Sequence, residues 1–441
     1  MGWMMLEFIP VYLWSRLTGA FSFQGGFYLV TYLATFGVTN AQLAWLPLLF
    51  FGGTAVQAVI ILRRRDRHGR LADARRTCLR DTLLGRAFWL VAFAWPMLAS
   101  SLELGLAWLY GGFLACVFLG QLFLLASASA WATWTQGIVH PRQRGSFYAW
   151  RNFTAFGCFL LVLGGLTASE WWPADGASAG ELQHWYFGLF MVLCVIALLA
   201  TWPLALAPRM PDEAHLAQRS VPPLREALAH EGAFKRYALW NACHMASIAC
   251  TLTWLQPLLA EIGISDLTYA RAEAWARTPM MFAGILIAGA MQNRVGSHRL
   301  LAVMNLALVI GVAILLMLDE HSPGWLLAIA LAAEGFGLGM TGIVMLSRLQ
   351  EIIPRGDARF PALCTAAGGL GGMAVALVLV ILLPQLDPDP SIAWLIIAAG
   401  CLIRLLSLPL LFDGRKHADH DHDAFAATPE ASAYVNDPGN R

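Results

Sequence analysis

Apolar residues in this 441-residue chain come in long unbroken runs, with polar residues gathered in the gaps between them. About 20 consecutive apolar residues let a helix cross the hydrocarbon of a bilayer. Twelve such runs can be marked, at roughly 14–36, 42–62, 83–100, 105–127, 152–169, 185–207, 237–260, 271–292, 300–318, 324–346, 361–384 and 391–412. Backbone groups find no water in lipid, so segments of this length are expected to be helices. The first run is too long for a cleavable signal core, and Gln24, Thr31 and Thr35 make it too polar.

Composition agrees with this pattern. Hydrophobic residues make up 58% of the chain and charged residues 13%, against about 45–50% and about a quarter in ordinary soluble domains. The net charge of +1 gives no reason to expect nucleic acid or another polyanion as a partner. Most cysteines lie inside apolar runs, where a thiol packs as a small hydrophobe rather than joining a disulfide framework. No phosphate-binding loop or nucleotide fingerprint appears, which argues against ATP-driven pumping.

The charges set the orientation. Eight arginines lie between Arg63 and Arg80, and Arg142, Arg144, Arg294, Arg299, Arg355 and Arg359 occupy later even-numbered turns. The opposite turns hold Glu103, Glu170, Asp175, Glu181, Glu261, Asp266, Asp319, Glu320, Asp387 and Asp389. Basic short loops stay cytoplasmic, so both termini are expected inside. The polar segment 208–236 carries Pro208, Pro211, Pro222 and Pro223, and reads as a cytoplasmic linker with a short surface helix near Leu224–His230. It divides a first bundle of six spans (1–207) from a second (237–412). Residues 413–441 read as a solvated tail; His417, His420 and His422 among its aspartates are a weak metal candidate, and disorder is the favoured reading.

The halves share loop signatures. Asp66-Arg67-His68-Gly69-Arg70 follows the second span, and Asn293-Arg294-Val295-Gly296 follows the eighth, 227 residues on. Pro141-Arg142 follows the fourth span and Pro354-Arg355 the tenth, 213 residues on. Two matches at similar offsets point to an internal duplication of six helices.

On these features the chain resembles the major facilitator superfamily over about residues 10–412. Asp66, Arg67, Gly69 and Arg70 match the family's turn after span 2, with Leu62 in place of its leading glycine; the second copy keeps that glycine as Gly289 and has Asn293 for the aspartate. Arg142, Arg144, Gly145 and Arg151-Asn152 look like the basic turn that many bacterial members carry after span 4. The resemblance implies an all-α membrane protein of twelve transmembrane helices in two pseudo-symmetric six-helix bundles, in a bacterial cytoplasmic membrane. It also implies a monomer without cofactor or enzymatic activity, whose partners are a small-molecule substrate, a coupling proton and membrane lipids. The loop charges would act as an inner gate, exchanging dry charge-assisted hydrogen bonds for water; the alternative is that they only set topology and bind lipid phosphate.

Polar residues within spans are costly and are default site candidates. Glu334 sits about ten residues into span 10, roughly 15 Å deep at 1.5 Å per residue. A carboxylate there is a candidate proton carrier, because a low-dielectric setting favours proton uptake; the alternative is a structural ion pair. Thr341 and Arg348 continue its face, and Gly335, Gly337 and Gly339 permit close packing. Arg277 follows Glu273 by four residues, a spacing that predicts a local pair; the alternative is that it reaches Glu334 or an anionic substrate. Trp240, His244, Ser247, Thr251 and Trp254 form a stripe on span 7 with Asn241 beside it, and Gln24, Tyr28, Thr31 and Thr35 repeat the spacing on span 1. Span 4 offers Gln121, Ser127, Trp131 and Trp134. The resemblance assigns spans 1, 4, 7 and 10 to the cavity wall; as polar residues within spans, Gln24, Tyr28, Thr31, Asn241, His244, Arg277, Glu334 and Thr341 are the candidates for a substrate or proton pathway. Arg16, Arg86, Arg151 and Arg404 lie toward the inner ends of their spans and are expected to snorkel. Span 4 lacks an arginine and span 5 lacks a Gly-Pro pair, which weighs against a drug exporter within that family. The expected function is proton-coupled transport of a small organic solute. Uncoupled facilitation, export, and a non-transporting receptor or assembly protein on the same fold are the alternatives.

Overall fold

The computed structural model describes residues 2–18, 27–64, 74–139, 144–173, 177–207, 232–352, 359–382 and 390–412. Gln24, the Asp66–Arg70 turn, Arg142, most of the linker and the tail lie outside the described residues, as do the side chains of Arg144, Gly145 and Asn293. Helices occupy all twelve apolar runs. They are α1 (described over Gly2–Thr18 and Phe27–Ala34), α2 (Trp45–Arg64), α3 (Ala74–Ser101), α4 (Leu106–Ile138), α5 (Arg144–Ala168) and α6 (Ala179–Leu199, continued by Thr201–Leu206) in the first half. The second half holds α7 (Gly232–Glu261), α8 (Asp266–Ala272, a π-helical turn Glu273–Arg277, then Thr278–Val295), α9 (Ser297–Leu315), α10 (Gly324–Ile352), α11 (Arg359–Leu382) and α12 (Pro390–Ser407). Among the described residues, nine of these helices are long and apolar enough to cross a membrane.

The helix ends follow local chemistry. At the start of α6, Ser178 and Glu181 form a reciprocal capping box, the Ser178 amide donating to Glu181 Oε2 at 2.8 Å. Ser265 accepts from the Thr268 amide at 3.2 Å and starts α8. In the turn after α9, the Ser322 hydroxyl and the His321 amide donate to Asp319 and hold its carboxyl below the ordinary carboxylate range. Gly296 joins α8 to α9 with φ of 87°, a conformation that favours glycine.

The first helix begins at Gly2, a dozen residues before the run marked from sequence. Glu7 reads as polar flank in the sequence, yet its carboxylate is buried and ion-paired with Arg86 of α3. Paired in this way, Glu7 no longer stops the apolar run. Arg86 also donates to the Ala197 carbonyl at 2.6 Å and to Thr201 Oγ1 at 3.0 Å, so it holds α1, α3 and α6 together rather than snorkelling. Arg151 lies 3.6 Å from the Phe8 ring centroid and 4.2 Å from that of Trp131. Arg404 is buried, with Nε donating to Ser247 Oγ at 3.1 Å. All three are held inside the protein because partners there replace water.

Helix pairing repeats when each number is raised by six. In the first bundle α3 packs on α4, α2 on α4, α1 on α5, α3 on α6 and α1 on α6; the second pairs α9 with α10, α8 with α10, α7 with α11, α9 with α12 and α7 with α12. Across the bundles, α2–α11 is matched by α8–α5. Two six-helix bundles related by a pseudo-two-fold axis account for every one of these pairs.

Candidate functional site

The site is a chain of buried charges running from α1 through α8 to α10. Pro279 follows two residues after Arg277 and has no N–H for the turn before it, and the helix absorbs the misfit as a π turn over Glu273–Arg277. Both charged residues stay on the inward side, each 3% exposed. The local pair survives in the widened turn, with Arg277 Nη1 donating to Glu273 Oε1 at 3.1 Å. Arg277 Nη2 reaches Glu334 Oε1 at 2.7 Å, and Nη1 also donates to the Tyr269 hydroxyl at 3.0 Å. The sequence alternatives for Arg277 are therefore both realised.

Glycines set that distance. A Cβ at Gly335 would run into the Arg277 carbonyl, one at Gly339 into the Met281 carbonyl, and one at Gly284 into the Phe336 carbonyl. Small residues at this spacing bring α8 and α10 backbones together, as membrane helices commonly pack. Gly337 faces the other way, onto Leu308 of α9. The Glu334 backbone is held from that side by Gly311 of α9. Glu334 is 5% exposed; its Oε1 is paired, while Oε2 is buried with no hydrogen-bond partner among the described residues.

Glu273 carries the network into the first bundle. Its Oε1 accepts from Arg16 Nη2 at 2.5 Å, and its Oε2 from the Tyr28 hydroxyl at 2.9 Å. Closer to the start of α8, Asp266 accepts from Thr31 Oγ1 at 3.5 Å and from the Tyr186 hydroxyl of α6 at 3.0 Å. Thus the first bundle supplies donors and the second supplies carboxylates. Phe27 stacks on Tyr269 at 4.1 Å, and Tyr28 meets Trp172 at 6.0 Å, so aromatic rings enclose this contact. Arg16 does not snorkel; its side chain is 8% exposed and reaches across the bundle interface.

Of the sequence candidates, Tyr28, Thr31, Arg277 and Glu334 come together here. Asn241 donates to the Cys364 carbonyl of α11 at 3.0 Å. His244 stacks on Trp240 at 5.1 Å between ring centres, and Ser247 of the same stripe meets Arg404 of α12. That stripe therefore faces the interior of the second bundle. Thr341 donates to the Gly337 carbonyl at 3.0 Å and lies 3.4 Å from Met304 Sδ of α9. Arg348 pairs with Glu351 at 3.3 Å rather than with Glu334. Arg294 is exposed, and Gly296 makes the α8–α9 turn. Arg16, Glu273 and Asp266 are the members that sequence reading assigned other roles; nothing in their spacing points to a partner in the other bundle.

A family profile of the Major Facilitator Superfamily matches residues 16–376. No curated protein matches the chain by sequence. Several solved structures share its fold. The nucleoside transporter NupG superposes with a TM-score of 0.62 at 12% identity, over 93% of this chain and 100% of that one. The proton:xylose symporter XylE gives 0.64 at 15% identity, over 93% and 94%. The E. coli fucose:proton symporter FucP gives 0.55 at 15% identity, over 93% and 98%.

Proposed function

The chain belongs to the major facilitator superfamily, and we propose that this membrane transporter carries a small organic solute in symport with protons. The two bundles, 1–207 and 237–412, rock about the solute, joined by the 208–236 linker, with both termini on the cytoplasmic side of a bacterial inner membrane. The protein works as a monomer and needs no cofactor.

The observation that carries this reading is the charge chain Arg16–Glu273–Arg277–Glu334, which crosses the bundle interface and ends on a carboxylate oxygen with no hydrogen-bond partner among the described residues. Contacts of this kind suit alternating access. Charge-assisted hydrogen bonds are strong when dry and are exchanged for bonds to water when the interface opens. Arg16 and Tyr28 would release Glu273 as α1 leaves α8, while Arg277 and Glu334 stay within the second bundle. Glu334 then takes a proton at Oε2 in one access state and gives it up in the other. Likeness of fold to a proton:xylose symporter and a fucose:proton symporter supports the coupling.

The test uses purified protein in liposomes containing a trapped pH dye, challenged with xylose, fucose, uridine and lactate. Wild type is expected to acidify the lumen as it takes up at least one of them. Glu334→Gln is expected to lose proton flux and gradient-driven accumulation while retaining counterflow. A folded Glu334→Gln protein with undiminished proton-driven uptake refutes the assignment.

A further inference from the structure

Arg151 differs from the other arginines that the helices bury. Arg16, Arg86, Arg277 and Arg404 each donate a hydrogen bond to an oxygen. The Arg151 guanidinium instead lies over the rings of Phe8 of α1 and Trp131 of α4, and donates to no oxygen among the described residues. We propose that Arg151 forms an oxyanion-binding site near the basic-loop ends of α1, α4 and α5, taking a carboxylate or phosphate group.

Rings alone do not satisfy a guanidinium. They attract the cation through their faces, whereas its five N–H groups need acceptors in its own plane. Nε is buried without a partner; Nη1 and Nη2 are not sealed and make no hydrogen bond, so the outer edge of the fork stays open. The groups that act on Arg151 through space are Glu7, Tyr148 and Cys78. Glu7, the one carboxylate among them, is ion-paired with Arg86, and that pair is neutral. The Tyr148 hydroxyl lies 3.5 Å from Thr135 Oγ1 and Cys78 Sγ lies 3.6 Å from Ser127 Oγ, so both are engaged elsewhere. Arg151 thus lacks both a carboxylate and an acceptor among the described residues. An oxyanion supplies both at once, because two of its oxygens match two N–H groups of one guanidinium.

The position suits a ligand rather than lipid tails. Phe147 and Ala155, one turn to either side of Arg151 on α5, are buried. Phe8, Trp131 and Arg151 stand six or seven residues from Gly2, Ile138 and Arg144, the ends of their helices, which is about 9–11 Å. Glu334 stands 18 residues from Ile352, about 27 Å from the matching end of α10, so the two sites are separate. The next residue along α5, Asn152, faces Gly342 of α10, which puts the site beside the bundle interface. None of this depends on the solute carried or on Glu334 holding a proton.

A free small anion and an anionic lipid headgroup offer the same chemistry, and the experiment separates them. Thermal unfolding of the purified protein in neutral detergent, at an ionic strength fixed with chloride, is followed against inorganic phosphate, acetate and neutral acetamide. A parallel series adds phosphatidylglycerol or phosphatidylcholine. Expected is stabilisation of wild type by phosphate or acetate but not by acetamide. Arg151→Gln should raise the half-effective concentration at least about tenfold, the loss of a charge-assisted hydrogen bond. Arg151→Lys, which keeps the charge and loses the fork, should fall between the two, and carries the comparison if Arg151→Gln does not fold. Stabilisation by phosphatidylglycerol and not by the free anions, lost in the same variants, supports the site with a headgroup as its occupant. Equal stabilisation of wild type and the Arg151 variants, or no stabilisation by any anion, overturns the proposal and leaves Arg151 as a packing clamp between α1, α4 and α5.

Discussion

Arg277 is the residue whose removal should damage the protein most. Its guanidinium holds Glu334 at 2.7 Å, Glu273 at 3.1 Å and Tyr269 at 3.0 Å. Arg277→Gln removes the cation between two buried carboxylates, and breaking a buried pair costs about 3–5 kcal/mol. Glu334→Gln is gentler, because Arg277 keeps Glu273; losing one hydrogen bond to a charged group costs about 1.5–3 kcal/mol. In Arg277→Gln/Glu334→Gln, Glu273 retains Arg16 and Tyr28, and no unpaired carboxylate is left at position 334. The double variant should therefore be at least as stable as Arg277→Gln alone. Reversible unfolding in mixed detergent micelles gives all three free energies as a double-mutant cycle. Additive losses would refute the network, and so would an Arg277→Gln protein as stable as wild type.

Other perturbations test other parts. Gly335→Val should separate α8 from α10, lowering both stability and uptake, whereas Gly165→Ala, with open space around its Cβ position, should leave thermal stability unchanged. Gly296→Ala places a Cβ at φ of 87° and ψ of 146°, a region nearly restricted to glycine, and should cost about 1–3 kcal/mol in the same unfolding assay. Asp66→Ala and Arg70→Ala should reduce uptake more than Arg76→Ala; equal losses would reduce the motif to a topology signal. An impermeant thiol reagent added to intact cells should label Ser178→Cys and spare Ser220→Cys, and the reverse would invert the orientation.

The twelve helices were legible because lipid imposes one rule on every backbone group, and the length of an apolar run then fixes the element. Glu334 and Arg277 were legible for the same reason, since a charge inside such a run must have a partner. The partner itself was not. Arg277 pairs within α8 at four residues' spacing, which sequence shows, and with α10 through Gly335 and Gly339, which sequence only hints at. Arg16–Glu273 joins residues 257 apart in different bundles, where no periodicity applies. His244 shows where periodicity stops helping. Its polar stripe has cavity spacing, but Arg404 and Asn305 provide polar company inside the second bundle, so the stripe turns there. Hydropathy says that a polar face avoids lipid; it does not say which of two buried directions the face takes.

Two unlike contacts lie along the bundle interface, beside the apolar α5–α8 packing of Phe153 and Phe156 on Phe282, and their chemistry suits a protein that must separate one while keeping the other. Along α2 and α11, glycines replace side chains: a Cβ at Gly369 would meet Thr54, and one at Gly372 the Phe51 ring. Gln57 donates to the Ala362 carbonyl at 3.2 Å on the same seam. Such a contact draws on close dispersion packing, which is lost steeply with a small gap. Along α1 and α8 the contact is ionic, and there the gain from pairing roughly offsets the cost of keeping the charges dry. Opening it to water therefore changes the free energy little, provided water or a solute meets each charge. An interface of apolar side chains alone would gain nothing from admitting water. A seam of balanced charges gives two states close in energy, and a ligand that matches the exposed donors then decides between them.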